Sequence, residues 1–135
     1  MDVNYVSRDT YGMYKDTQQG PGPALMGADT LLGNDVYNLD NEKLGTIKEF
    51  MIDMGTGRIV YAVLSYGGFL GIGDDYYPLP WPSLKYNVDL GGYQIMVTKD
   101  HLRTAPKYAS SADWNWNDQQ LARAVSAYYG VPMPS

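Results

Sequence analysis

The sequence predicts an all-β fold: a small antiparallel β-barrel with a flexible N-terminal arm and a short C-terminal helix. Three observations predict it. Six strand-like runs fall within about seventy residues, joined by turns rich in Gly, Asn and Asp. No long helical period separates those runs, so nothing is available to make the crossovers of a parallel sheet. The run Arg58 to Tyr66, RIVYAVLSY, is dense in β-branched and aromatic residues and free of Gly and Pro.

Residues 1–30 are polar, with scattered tyrosines (Tyr5, Tyr11, Tyr14) and a breaker cluster, Gly20-Pro21-Gly22-Pro23. They offer too little apolar surface to offset the entropy of ordering, so a mobile arm and linker is expected, with ordering on a partner as the alternative. They also hold no apolar core of a signal peptide. The barrel is expected over residues 31–104. Asp35 to Asn38 and Lys43 to Asp53 read as two strands around the turn Leu39-Asp40-Asn41-Glu42. In the second, Phe50 and Ile52 share a phase that Ile47 does not, so a bulge near Lys48 and Glu49 is expected to bring all three to one core.

Met54-Gly55-Thr56-Gly57 turns the chain into the central strand. There Val60, Ala62 and Leu64 point one way and Ile59, Tyr61 and Val63 the other, so neither face suits water. Gly67, Gly68, Gly71 and Gly73 then enclose Phe69, Leu70 and Ile72 in an apolar lip. Tyr76 to Leu79, Lys85 to Val88 and Tyr93 to Val97 are the remaining strands. Trp81 between two prolines reads as a core anchor, with a helical turn at Ser83 and Leu84 after it. Thr98 reads as the N-cap of one turn, Lys99 to Arg103.

The tail, residues 105–135, is irregular as far as Trp116. Asn117 to Tyr129 has helical period, with Asn117 and Gln120 as a capping-box pattern and Gly130 at the C′ position. Leu121, Ala124, Val125 and Tyr128 form its apolar stripe. A helix this short is marginal alone, so the stripe and the tryptophans Trp114 and Trp116 must rest on the barrel or on a second subunit.

Composition narrows the function. The formal net charge is -5 and no segment is basic, which disfavours nucleic acid, because phosphate neutralisation supplies most non-specific affinity. There is no cysteine and one histidine, His101, so thiolate chemistry, a zinc site and a Ser-His-Asp triad lack their parts. The glycine lip fits neither the dinucleotide nor the P-loop pattern, and Asp74 and Asp75 would repel phosphate there. Asp40, Asn41 and Glu42 lack calcium-loop spacing and read as a solvated turn. No cofactor, metal or catalytic residue is expected. The longest apolar run, Ile59 to Leu64, is too short to span a membrane, so a cytoplasmic protein is expected.

The run KLGTIKEFMIDMGTGRIVYAVLSYGGFLGIGDDYYPLPW resembles the PRC-barrel family, through Gly45 and Ile47, Asp53 with Thr56-Gly57-Arg58, Tyr61 to Leu64, the Gly67 to Gly73 lip and Pro80-Trp81. That family includes a domain of the photosynthetic reaction centre H subunit and of ribosome-maturation factors. The resemblance implies a fold used for assembly and partner contact rather than for a reaction. Residues 1–30 match neither the membrane helix of the one nor the extra domain of the other.

Thirteen tyrosines against two phenylalanines suit a half-wet wall or a contact surface. The expected function is a non-catalytic module that self-associates, as a homodimer or a higher homo-oligomer, and docks a protein or membrane-bound complex. Phe69, Leu70, Ile72, Trp114, Trp116, Leu121, Val125 and Tyr128 are its contact candidates. The alternatives are a regulatory domain binding a small molecule at a barrel end or subunit groove, and an RNA-associated factor.

Overall fold

The computed structural model describes residues 25–67 and 74–133. A one-turn helix, α1 (Ala28–Leu31), leads into six strands: β1 (Asp35–Tyr37), β2 (Lys43–Ile52), β3 (Ile59–Tyr66), β4 (Asp75–Pro80), β5 (Leu84–Asn87) and β6 (Gly92–Ile95). Helices α2 (Lys99–Arg103) and α3 (Gln119–Tyr129) follow. The strands form one sheet in the order β4-β3-β2-β1-β6-β5, curled into a half-barrel. All neighbours are antiparallel except β1 and β6, which run parallel.

The bulge expected in β2 is present: the register with β3 shifts between Ile47 and Glu49. It brings Ile47, 2% exposed, and Phe50 to the same core, and Leu44, 6% exposed, joins them where the pairing of β2 with β1 shifts in turn between Val36 and Tyr37. Ile52 departs from the expectation. A second shift between Met51 and Ile52 turns it outward, leaving it 49% exposed.

The central strand is covered on both faces, as its two apolar phases require: Tyr61, Ala62, Val63 and Leu64 are all buried. Ala62 and Leu64 join Val36, Ile47, Leu79 and Ile95 in the barrel core. Gly45 lies so close to β3 that an added Cβ would stand 2.0 Å from the Ser65 carbonyl oxygen. Trp81 opens the 3-10 turn Trp81–Ser83 that joins β4 to β5. It is half-buried rather than fully enclosed, and its ring meets Phe50 of β2 and Tyr93 of β6 at centroid distances of 5.7 and 5.6 Å.

The barrel begins a little earlier than expected, because α1 includes Thr30, 7% exposed, and packs Leu31 into the core. Residues 1–24 and the lip residues Phe69, Leu70 and Ile72 lie outside the described residues. Thr98 caps α2, its hydroxyl accepting from the His101 N–H at 3.1 Å. Helix α3 starts one residue later than the Asn117 pattern suggests, because the Asp118 carboxylate takes the Gln120 N–H at 2.8 Å. Gly130 ends it in the left-handed region, φ 67°.

The tail rests on its own barrel. Tyr108 forms an antiparallel bridge with Tyr76 on the outer edge of β4, by N–H···O bonds of 2.8 and 3.0 Å. Both backbone groups of Tyr76 therefore face outward, and strand alternation puts Pro78 and Pro80 in the same phase. Neither proline has an N–H to offer, so the pairing cannot run on as a continuous ladder past Tyr76 toward the end of β4. Lys107 pairs with Asp75 at 2.9 Å, and Lys48 stands 3.8 Å over the Tyr76 ring.

Candidate interaction surfaces

The contact candidates on the tail are brought together, against the chain itself. Trp114 and Trp116 are half-buried, with ring centroids 5.9 Å apart. Both meet Tyr108, and Trp116 lies 5.5 Å from Tyr61 on the outer face of β3. Of the two seats left open for the tryptophans, barrel wall or second subunit, the structure occupies the first. Helix α3 packs on β4. Val125 is 1% exposed, so intramolecular packing consumes it and leaves it no free surface for a partner. Leu121 and Tyr128 remain half-buried.

Tyr128 connects the tail to α2. Its ring stacks on that of His101 at 4.3 Å and 21°, and its hydroxyl donates to the His101 carbonyl and meets the Thr104 hydroxyl. Burial pushes two phenols of this half, Tyr108 and Tyr129, up. Tyr108 rises to about 12, with the Glu49 carboxylate adding to the effect, and Tyr129 rises further for the same first cause. In the barrel interior, burial raises Tyr93 to about 12. Such groups stay neutral at any physiological pH.

One surface combines barrel and tail. The β1–β2 turn is locked by Asn38, fully buried, whose side-chain oxygen accepts the Asp40 and Glu42 N–H groups at 2.9 Å each while its amide donates to Glu42. That bond, with Lys99 at 3.2 Å, holds the Glu42 carboxyl below the usual range. Gln94 donates to the Asn38 carbonyl and to Asn41, which adopts φ 62°. The side chains of Asn38, Asn41 and Glu42 are thus spent on holding the shape of the turn. Leu39, whose N–H bonds the Val97 carbonyl at 3.1 Å, is left 46% exposed. Met96, 58% exposed, lines the same shallow depression of about 520 Å³, as do Val97, His101, Tyr128 and Gly130.

Sequence reasoning misses Leu39 and Met96, although a signal exists. Leu39 is the one apolar residue in a polar turn, and Met96 shares a phase with Gln94 and Thr98, the wet side of that strand.

A second concavity lies under the β2–β3 turn. It has two lobes, of about 310 and 450 Å³, that share Asp53, Val60 and Met133. The first is walled by Pro80, Trp81 and Pro132 and the second by Tyr61 and Trp116. Among the described residues no group of three His, Cys, Asp or Glu side chains is placed to hold a metal ion, and no helix is long and apolar enough to cross a membrane.

A curled six-stranded sheet with a buried central strand and apolar surface patches defines a small β-barrel module. The family model for the PRC-barrel domain matches residues 24–102, more than half of the chain, and the protein belongs to that family. Comparison with the curated proteins finds no match.

Proposed function

We propose that the protein is a non-catalytic interaction module that pairs with a second copy of itself and docks a protein or membrane-associated complex. The observation that carries this reading is the pair Leu39 and Met96, left 46% and 58% exposed on a surface made rigid by the Asn38 network. Leaving apolar surface wet forfeits roughly 25 cal/mol per Å². A two-fold pair removes that penalty without a new partner, because the same face meets itself. Tyr128, at the margin of this surface, brings the tail into the contact.

The test is a mass measurement in solution, by light scattering, of the wild-type chain and of a variant carrying Leu39→Asp and Met96→Asp. A wild-type dimer that becomes a folded monomer in the variant supports the reading. A wild-type monomer at about 100 μM, a concentration above the dissociation constant of any stable pair, sinks it.

A further inference from the structure

The groove under the β2–β3 turn shares no lining residue with the Leu39 and Met96 surface. Its charged residues sit on a turn held by four hydrogen bonds. The Asp53 N–H donates to the Arg58 carbonyl at 2.8 Å and the Gly57 N–H to the Asp53 carbonyl at 2.7 Å. The Gly55 N–H donates to the Asp53 carboxylate at 2.8 Å, and the Arg58 N–H to the Thr56 hydroxyl at 3.2 Å. Asp53 and Arg58 are opposed across the base of this turn and both line the 310 Å³ lobe.

They do not neutralise one another. Among the described residues the second oxygen of Asp53 and the guanidinium of Arg58 have no hydrogen-bond or ion-pair partner. The lobe therefore presents one negative and one positive group, separated and available, beside an apolar wall of Trp81, Pro80, Pro132 and Val60. A guanidinium suits a carboxylate by two parallel N–H···O bonds, and a carboxylate suits an ammonium group. The complement of both, with an apolar wall to one side of them, is a zwitterion with an apolar body. Small-molecule sites run from about 300 to 1,000 Å³, and the lobe that both charged residues line lies at the bottom of that range.

We propose that this groove binds a hydrophobic α-amino acid, with its carboxylate on Arg58, its ammonium group on Asp53 and its side chain along Trp81 and the prolines. The contact is solvent-exposed at its charged end, so affinity is modest and falls with salt.

The experiment is a titration of the full chain with L-phenylalanine and L-leucine, followed by calorimetry and by amide chemical shifts. Two analogues each lack one charge: N-acetyl-L-phenylalanine and L-phenylalanine amide. Saturable binding of a free amino acid is expected, weakened at least about tenfold, or 1.4 kcal/mol, by removing either ligand charge. Arg58→Gln and Asp53→Asn are expected to weaken it by a similar factor. The amide introduced by Asp53→Asn keeps an oxygen to accept the Gly55 N–H, and shift dispersion reports that both variants fold. No saturable binding up to about 10 mM overturns the proposal. So does binding that ignores both charges, or that responds to one alone. None of these outcomes bears on pairing through Leu39 and Met96, which is read from the mass measurement.

Discussion

Gly45→Ala tests how β2 and β3 are packed. The added methyl would lie 2.0 Å from the Ser65 carbonyl oxygen, 3.1 Å from the Ser65 carbonyl carbon and 3.3 Å from a Leu64 methyl. The Leu64 methyl has room to yield; the main chain of the central strand has not, since β3 is tied to β2 on one side and β4 on the other. Overpacking at a site that relaxes costs about 1–3 kcal/mol. A backbone obstacle belongs at or above the top of that range, so a loss of about 3 kcal/mol or more is expected, a fall in Tm on the order of 10 °C.

The control is Gly57, which has φ +76° and open space around its Cβ position. There the cost is conformational alone, about 1–2 kcal/mol for alanine and less for asparagine, which tolerates the left-handed region. Urea unfolding followed by tryptophan fluorescence measures all three variants. A loss below about 1 kcal/mol for Gly45→Ala, or an equal loss for Gly57→Ala and Gly45→Ala, would refute the packing argument.

Three further outcomes are expected. Trp116→Ala uncovers Tyr61, and because the indole is half-buried the loss is set below the roughly 3–5 kcal/mol of a fully buried tryptophan, at about 2 kcal/mol; equilibrium unfolding checks this, and a loss under about 0.5 kcal/mol would mean the tail does not pack on β3. Asp118→Ala removes the cap of α3 and is expected to cost about 1 kcal/mol, with faster amide exchange in its first turn; unchanged exchange would reject the cap. Alkaline pH destabilises the fold. Folding raises Tyr93 and Tyr108 from about 10 to about 12, so their contribution is complete below pH 10 and is lost as pH rises toward 12. Ultraviolet titration of tyrosinate is expected to show a late-ionising set, and complete ionisation near pH 10 in the folded protein would contradict the burial.

The strands are legible because each carries its own signal. The phase conflict between Ile47 and Phe50 points to the bulge, and the two apolar phases of Ile59 to Leu64 point to a strand covered on both sides. Thr98 and Gly130 mark helix ends through chemistry that acts within one turn. What escapes is non-local. The parallel pairing of Val36 with Tyr93 joins strands far apart in the chain, and no short-range pattern encodes it. Ile52 alternates with Phe50 as a core residue would, and a second register shift defeats that alternation.

The lobe that Asp53 and Arg58 line is assembled from three separate segments, around Asp53 to Val60, Pro80 to Pro82 and Pro132 to Met133, so none of them reveals it alone. The landing place of the tail is half legible. Pro78 and Pro80 mark an edge strand by their missing donors, yet nothing near Tyr108 announces that it meets Tyr76.

The proline-interrupted rim of β4 constrains what happens when the tail detaches. Release of Tyr108 frees a donor and an acceptor at Tyr76, and the next outward positions of β4, Pro78 and Pro80, have no N–H with which to extend the pairing. Another polypeptide that takes that post meets two missing donors in a row and gains no ladder along the proline half of the strand. Proline thus does at this rim what a covering segment does elsewhere, keeping an uncovered strand from serving as a template along that half.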